Sequence, residues 1–222
     1  MLRAAILSLL SVTAFAQNSV RVLLVTGGHD HEPTFYSMFT GQKDFVTNVN
    51  PHPVAYKGSL SKYDVIVMYD MVQELPAAQK DNLKAFAESG KGLIVLHHAL
   101  VNFNDWPWFR ELAGGQYSEK NSTYKHDVDL DIEAVRDHPV TRGLRKFRIN
   151  DETYKGMWIS DKNTVLLRTN DATSDGPVAW VSPYTKSRVV AIQLGHGPLA
   201  HKSPEWQMLV RNAILWSAGR LK

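Results

Sequence analysis

Four runs of consecutive apolar residues constrain this chain more than any other feature. They are VLLV at residues 22–25, VIVM at 65–68, LIVL at 93–96 and VVAI at 189–192. A strand with one face in water alternates apolar and polar residues. Unbroken apolar runs instead predict strands covered on both faces. The run at 93–96 is preceded by PAAQKDNLKAFAESGKG (76–92), which opens on proline, carries Leu83, Phe86 and Ala87 at helical spacing and stops on glycine. That pattern predicts a helix. Residues 33–48 predict a second helix with Pro33 in its first turn, and residues 54–56 a short strand. Residues 108–112 predict a short helix, and residues 205–219 a closing amphipathic one with Trp206, Leu209, Ala213 and Trp216 along one side. Strand–helix alternation of this kind implies an α/β fold: a mainly parallel sheet with helices on both faces. In the second half HDVDLDIEAV alternates like a half-exposed strand. TVLLRT, PVAWVSPY and RVVAIQLG predict further strands, the last two forming a hairpin around residues 182–187. No repeat or linker interrupts residues 17–222, which predicts one domain.

The first sixteen residues, MLRAAILSLLSVTAFA, combine one basic residue, an apolar run and a small-residue cleavage pattern before Gln17. They read as a secretory signal peptide, too short in its apolar part to span a bilayer. A secreted or periplasmic location is the expectation. The chain has no cysteine, which excludes disulfides, thiolate metal sites and cysteine nucleophiles. Its formal charge of +3 is too small to argue for nucleic acid or a membrane surface as partner. It lacks the glycine fingerprint of dinucleotide-binding folds, which argues against NAD bound directly.

In open parallel sheets, ligands bind beyond the carboxyl ends of the strands. Three of the apolar strands end in histidine. VRVLLVT is followed by Gly28, His29, Asp30, His31 and Glu32, LIVL by His97 and His98, and RVVAIQLG by His196. Parallel neighbours would bring these loops to one edge. His29, His98 and His196 are therefore the candidate ligands of a divalent metal such as zinc. His98 and His196 are also candidate general acid/base groups. Successive residues leaving a strand point in opposite directions, so His98 is assigned to the cleft and His97 to a buried position. Gly28 reads either as a turn or as a point where ligand meets backbone. Asp151 and Glu152 read as a sugar-binding, metal-binding or catalytic pair, or as a plain turn pair. Asn102, Trp106 and Trp108 suit a sugar, which stacks on rings and hydrogen-bonds amides; they equally suit a loop anchored to the core. His31, His52, His138 and His201, taken singly, read as solvated or capping residues.

GGHDHEP, GLIVLHHALVNFNDWPWFRELAGG, HPVTRGL, DETY, PVAWV and RVVAIQLGHG occur in this order. Together they resemble the ThuA-like family, named for trehalose utilisation, from about residue 20 to the last helix. The resemblance implies a class I glutamine amidotransferase-like fold, a flavodoxin-like three-layer sandwich. In amidotransferases a cysteine nucleophile sits on the turn after the strand corresponding to LIVL. Here histidine and alanine stand there, so cysteine-dependent glutamine hydrolysis is excluded. The resemblance also implies a small sugar substrate: a glycoside or disaccharide, or a 3-keto derivative made by a partner sugar dehydrogenase. The expectation is an exported carbohydrate-processing hydrolase or isomerase, with Glu152 or Asp151 orienting a histidine or helping to hold a metal. The alternative is a non-catalytic carbohydrate-binding protein on the same fold.

Overall fold

Each apolar run becomes a strand at the centre of one sheet. The computed structural model describes residues 19–222, so the expected signal peptide lies outside the described residues. Strands β1 (Val20–Thr26), β2 (Phe45–Pro51), β3 (Val65–Met68), β4 (Gly92–Leu96) and β11 (Val189–Ile192) pair in parallel in the order β2-β1-β3-β4-β11. This is the strand order of flavodoxin-like sheets. Within these strands successive side chains serve different cores. Val65, Val67, Ile94, Leu96, Val190 and Ile192 join one apolar cluster, and Ile66, Met68, Leu93, Val95, Val189 and Ala191 the other. That is why the sequence lacks alternation: both faces are buried. Each such side chain contributes about 1.5–3 kcal/mol by leaving water.

Helix α1 (Ala77–Glu88) covers one face with Leu83, Phe86 and Ala87, joined by α2 (Pro107–Ala113) through Phe109 and Leu112. On the other face lies the chain's last helix (Pro204–Ser217), which buries Trp206, Leu209, Val210 and Ala213. A short helix, α3 (Pro198–Lys202), precedes that last helix, α4. The three layers expected from the sequence are present.

The sheet is not mainly parallel, and here the expectation is corrected. It has nine strands and continues from β11 through β10 (Pro177–Val181), β9 (Thr164–Thr169), β6 (Thr123–Ala134) and β7 (Lys146–Lys155), and all four of these pairings are antiparallel. Strand β6 buries Val128, Leu130 and Ile132 and exposes Asp127, Asp129, Asp131 and Glu133. One face of this wing is solvated, as antiparallel sheets tolerate. The fold is therefore a mixed α/β sandwich, flavodoxin-like in its parallel half. A separate small ribbon pairs β5 (Gly115–Gln116) with β8 (Trp158–Ile159).

Two element boundaries also differ. Residues 33–48 form a 3-10 helix over Pro33–Phe39 that buries Phe35 and Met38, then break at Gly41 (φ +70°) and enter β2. Val46, Thr47 and Val49 are β-branched, and parallel pairing with β1 decides in favour of strand. Residues 54–56 make a 3-10 turn that buries Ala55 and Tyr56 instead of a strand. The hairpin of β10 and β11 and the helix around residues 108–112 form where the sequence placed them.

Candidate functional site

The carboxyl ends of β1, β4 and β11 lie along one edge of the sheet, with β3 between β1 and β4, and each delivers histidine to one cavity. After β1 the backbone turns through Gly27 and Gly28, both at positive φ. A Cβ at Gly28 would lie 2.0 Å from the Met71 carbonyl oxygen, so only glycine lets the loop approach the segment after β3 this closely. His29 is carried over the strand ends as a result. After β4 the chain makes a strand-to-helix elbow: His97 takes φ 46° and opens a 3-10 turn, His97–Val101. After β11, Gly195 and His196 are held by the buried carboxylate of Asp151. It accepts from the backbone N–H groups of Gly195 (2.7 Å), His196 (2.9 Å) and Glu152 (2.8 Å).

The antiparallel wing closes the cavity. Glu152 and Tyr154, two apart on β7, face it together. Opposite them β6 carries a bulge between Lys125 and Val128, with Asp127 at φ 54°. His126 and Asp127 thus oppose the single residue Glu152, and the His126 Nδ1 comes 2.6 Å from Glu152 Oε2. The resulting cavity holds about 340 Å³ and is lined by His29, His98, His126, His196, Glu152 and Tyr154, with Tyr117, Tyr124, Glu119, Met71 and Val101 around them. A second depression of about 730 Å³ on the solvated wing is bordered by Asp129, Asp131, Glu133, Lys146 and Arg168, ordinary surface charges.

Within the cavity the rings form a continuous cluster. His29 stacks on His98 at 4.1 Å between centroids, and His98 lies 4.5 Å from His97 and 5.5 Å from His196. His97 Nε2 is 3.2 Å from both His196 Nδ1 and the Tyr154 hydroxyl, while its Nδ1 donates to the Gln193 carbonyl. His98 is 3% exposed and neither of its ring nitrogens has a protein partner. Burial lowers the proton affinity of His97 and His98 and brings His196 down to about 4, with neighbouring histidines adding to the effect. Burial acts in the opposite sense on the acids. It raises Asp151 to about 6 against the pull of its three N–H donors, and Glu152 to about 7. The site thus pairs neutral imidazoles with a carboxyl poised between its two protonation states near neutral pH.

Not every residue singled out in the sequence reaches this cavity. His98 lines the cavity, while His97 is fully buried behind it and meets the cluster through its ring contacts with His98 and His196. Asp151 works through the backbone of the histidine loop. Asn102 is buried between Asp70 and the Val72 N–H, fastening two loops. Trp106 and Trp108 pack against Phe103, Phe109 and Tyr184, so they anchor the loop after β4 to the core. Asp30 is exposed at the first loop and does not line the cavity. His52 pairs with Asp70, His138 caps a 3-10 turn and His201 is buried against Thr34 and Gly195, all structural placements. His126, Tyr117, Tyr124 and Tyr154 line the cavity without having been singled out. The bulge that redirects His126 leaves no mark in the apolar pattern.

Residues 21–217 match the ThuA family, described as trehalose utilisation. No curated protein matches the chain. Among solved structures, a ThuA-like protein from Parabacteroides merdae ATCC 43184 superposes with a TM-score of 0.81 at 17% identity, over 92% of each chain. A ThuA-like protein from Bacteroides uniformis ATCC 8492 gives 0.71 at 22% identity, over 91% of this chain and 93% of the other. The β-galactosidase of Bacillus circulans sp. alkalophilus gives 0.62 at 13% identity, with 90% of this chain matching 31% of that enzyme. At these identities the structural likeness establishes the fold alone.

Proposed function

Since this chain belongs to the ThuA family, described as trehalose utilisation, we propose that it processes a glycoside or its 3-keto derivative in the histidine-lined cavity, with Glu152 as the general acid/base. The observation that carries this reading is the setting of Glu152. Its carboxyl is buried at the cavity wall, is pushed up to about 7 because burial disfavours its charge, and lies 2.6 Å from His126 Nδ1. A group titrating near the working pH both takes and returns protons efficiently. His126 is half-exposed and connects that proton to solvent. Such a group suits protonation of a leaving glycosidic oxygen, or removal of a proton beside a sugar ketone. These correspond to a hydrolase and an isomerase.

The rings able to hold a sugar at this cavity are Tyr117, Tyr124 and Tyr154. Tyr124 is 59% exposed at the rim, where a ring face is free to stack on a pyranose. An exported location, and a separate sugar dehydrogenase that supplies a keto substrate, belong to the same proposal.

Disaccharides and 3-keto-glycosides should be screened for binding and turnover. The proposal expects turnover that Glu152→Gln lowers at least about 100-fold while binding survives, in line with the usual worth of a general acid/base. Tyr124→Ala should weaken binding by about 1 kcal/mol, or roughly five-fold. Binding without turnover of any candidate would replace the enzyme reading by the carbohydrate-binding one. Absence of both would overturn the carbohydrate reading altogether.

A further inference from the structure

We propose that His97, His98 and His196 form a binding site for one divalent transition-metal ion of the zinc type, with its open coordination position facing the cavity. One ring nitrogen from each of the three lies within 4.8 Å of the other two. A tetrahedral ion with Zn–N bonds of about 2.0–2.1 Å separates its ligands by roughly 3.3 Å. His97 Nε2 and His196 Nδ1 already stand 3.2 Å apart.

Two further observations point to an ion. The first is the orientation of His97. Its Nδ1–H is committed to the Gln193 carbonyl, which fixes the tautomer and turns the Nε2 lone pair into the cluster. Metal-bound histidines are held in this way, by a carbonyl or carboxylate on the far nitrogen. His97 reaches this pose at φ 46°, a conformation that costs about 1–3 kcal/mol outside glycine and is sustained where a site requires it. The second is His98: it is almost fully buried, it lines the cavity, and neither ring nitrogen meets a protein partner. A buried unpartnered nitrogen is costly, and a metal bond removes that cost. Three imidazoles without thiolate or clustered carboxylates suit zinc and its neighbours over calcium or magnesium.

A second set of donors, His126, Glu152 and His196, shares one member with this site. There the His126 ring already stands 2.6 Å from Glu152 Oε2, and neither histidine has a buried, unpartnered nitrogen as His98 does. His29 belongs to neither set; it stacks its ring face on His98 and shields the site from solvent. Glu152 stands at the edge of this site, with Oε2 3.5 Å from His196 Nδ1 and Oε1 3.8 Å from His97 Nε2. The metal site does not depend on the substrate being a sugar.

The test is calorimetric titration of chelator-stripped, untagged protein with zinc chloride. One equivalent should bind. His98→Ala should weaken binding at least 100-fold, and so should His97→Ala, whereas His126→Ala should leave the Kd within about three-fold. A folded wild type that takes up no zinc overturns the proposal. So does loss of binding in His126→Ala with binding intact in His98→Ala, since the ion would then sit on the second set. Should the His97 and His98 variants fail to fold, cobalt(II) in the wild type decides. Intense visible bands of a four-coordinate imidazole site are expected, and the weak spectrum of a six-coordinate ion would overturn the assignment.

Discussion

Asp151 shows how a residue can govern a site without touching its cavity. Three backbone N–H groups, those of Glu152, Gly195 and His196, converge on its buried carboxylate. They outweigh neither its desolvation nor the resulting upward shift to about 6, yet they fix the loop that presents His196. Asp151→Ala would leave all three donors without an acceptor. Buried donors of this kind cost about 1–3 kcal/mol each, so a loss of at least about 3 kcal/mol is expected in urea unfolding. Glu152→Gln, one residue away, should cost less than about 1 kcal/mol because its side chain ends at the cavity and keeps its hydrogen-bonding capacity. Equal losses for the two would show that Asp151 does not carry the loop. The sequence marks both acids as site residues, but no spacing rule separates the one that acts on backbone from the one that faces the cavity.

At the scale of elements, the bulge in β6 decides which side chains meet. Were regular pairing to continue from Val128 and Asp151 without the bulge, Asp127 would oppose Glu152 and His126 would slide to Thr153, on the other face of the strand. Asp127 absorbs the insertion in the left-handed region, at φ 54°. Aspartate tolerates that region, and a β-branched residue does not. Asp127→Gly should leave the thermal midpoint unchanged or slightly raised, while Asp127→Val should lose about 1–2 kcal/mol and loosen His126 from Glu152. The same Tm for both would mean that the bulge is not under this strain. This element also marks the limit of what the sequence discloses. β1, β3, β4 and β11 are legible because two-sided burial demands unbroken apolar runs, and their shared polarity predicts that His29, His98 and His196 converge. β2 is not legible, because its exposed Val46 and Val49 and its Asn48 and Asn50 give no two-sided pattern. His126 and Tyr124 are hidden for a related reason. They lie on a strand whose alternation assigns exposed positions to solvent, and only the antiparallel wing folding over the strand ends turns them into cavity wall.

For the whole molecule, the concentration of buried titratable groups at one end of the sheet dictates how stability responds to acid. In the native state His97, His98, His196 and His201 all bind protons less readily than free imidazole, chiefly because they are buried. The unfolded chain protonates them as pH falls through about 6.5, and the native state resists, with His196 holding out to about 4. Each therefore withdraws stability as pH falls below its unfolded value. Asp151 and Glu152 act in the opposite sense. With native values of about 6 and about 7, above their unfolded ones, they bind protons in the native state first and return some stability on acidification. With His138, whose proton affinity partial burial also lowers, five histidines oppose two carboxyls, so the histidines prevail below pH 6.5. The slope should approach about 1.4 kcal/mol per pH unit for each histidine not offset by a carboxyl. Above pH 7.5 both sets have the same charge in the two states, and stability should level off. Urea midpoints of chelator-stripped protein between pH 8 and pH 5 measure this directly. A flat profile followed by a decline beginning near pH 6.5 is expected. A rise in stability over that interval would mean that the two acids, and not the histidine cluster, dominate the proton balance at the strand ends. His201→Gln, which removes a buried imidazole away from the cavity wall, should make the decline shallower by about one proton's share, whatever its effect on stability at pH 8.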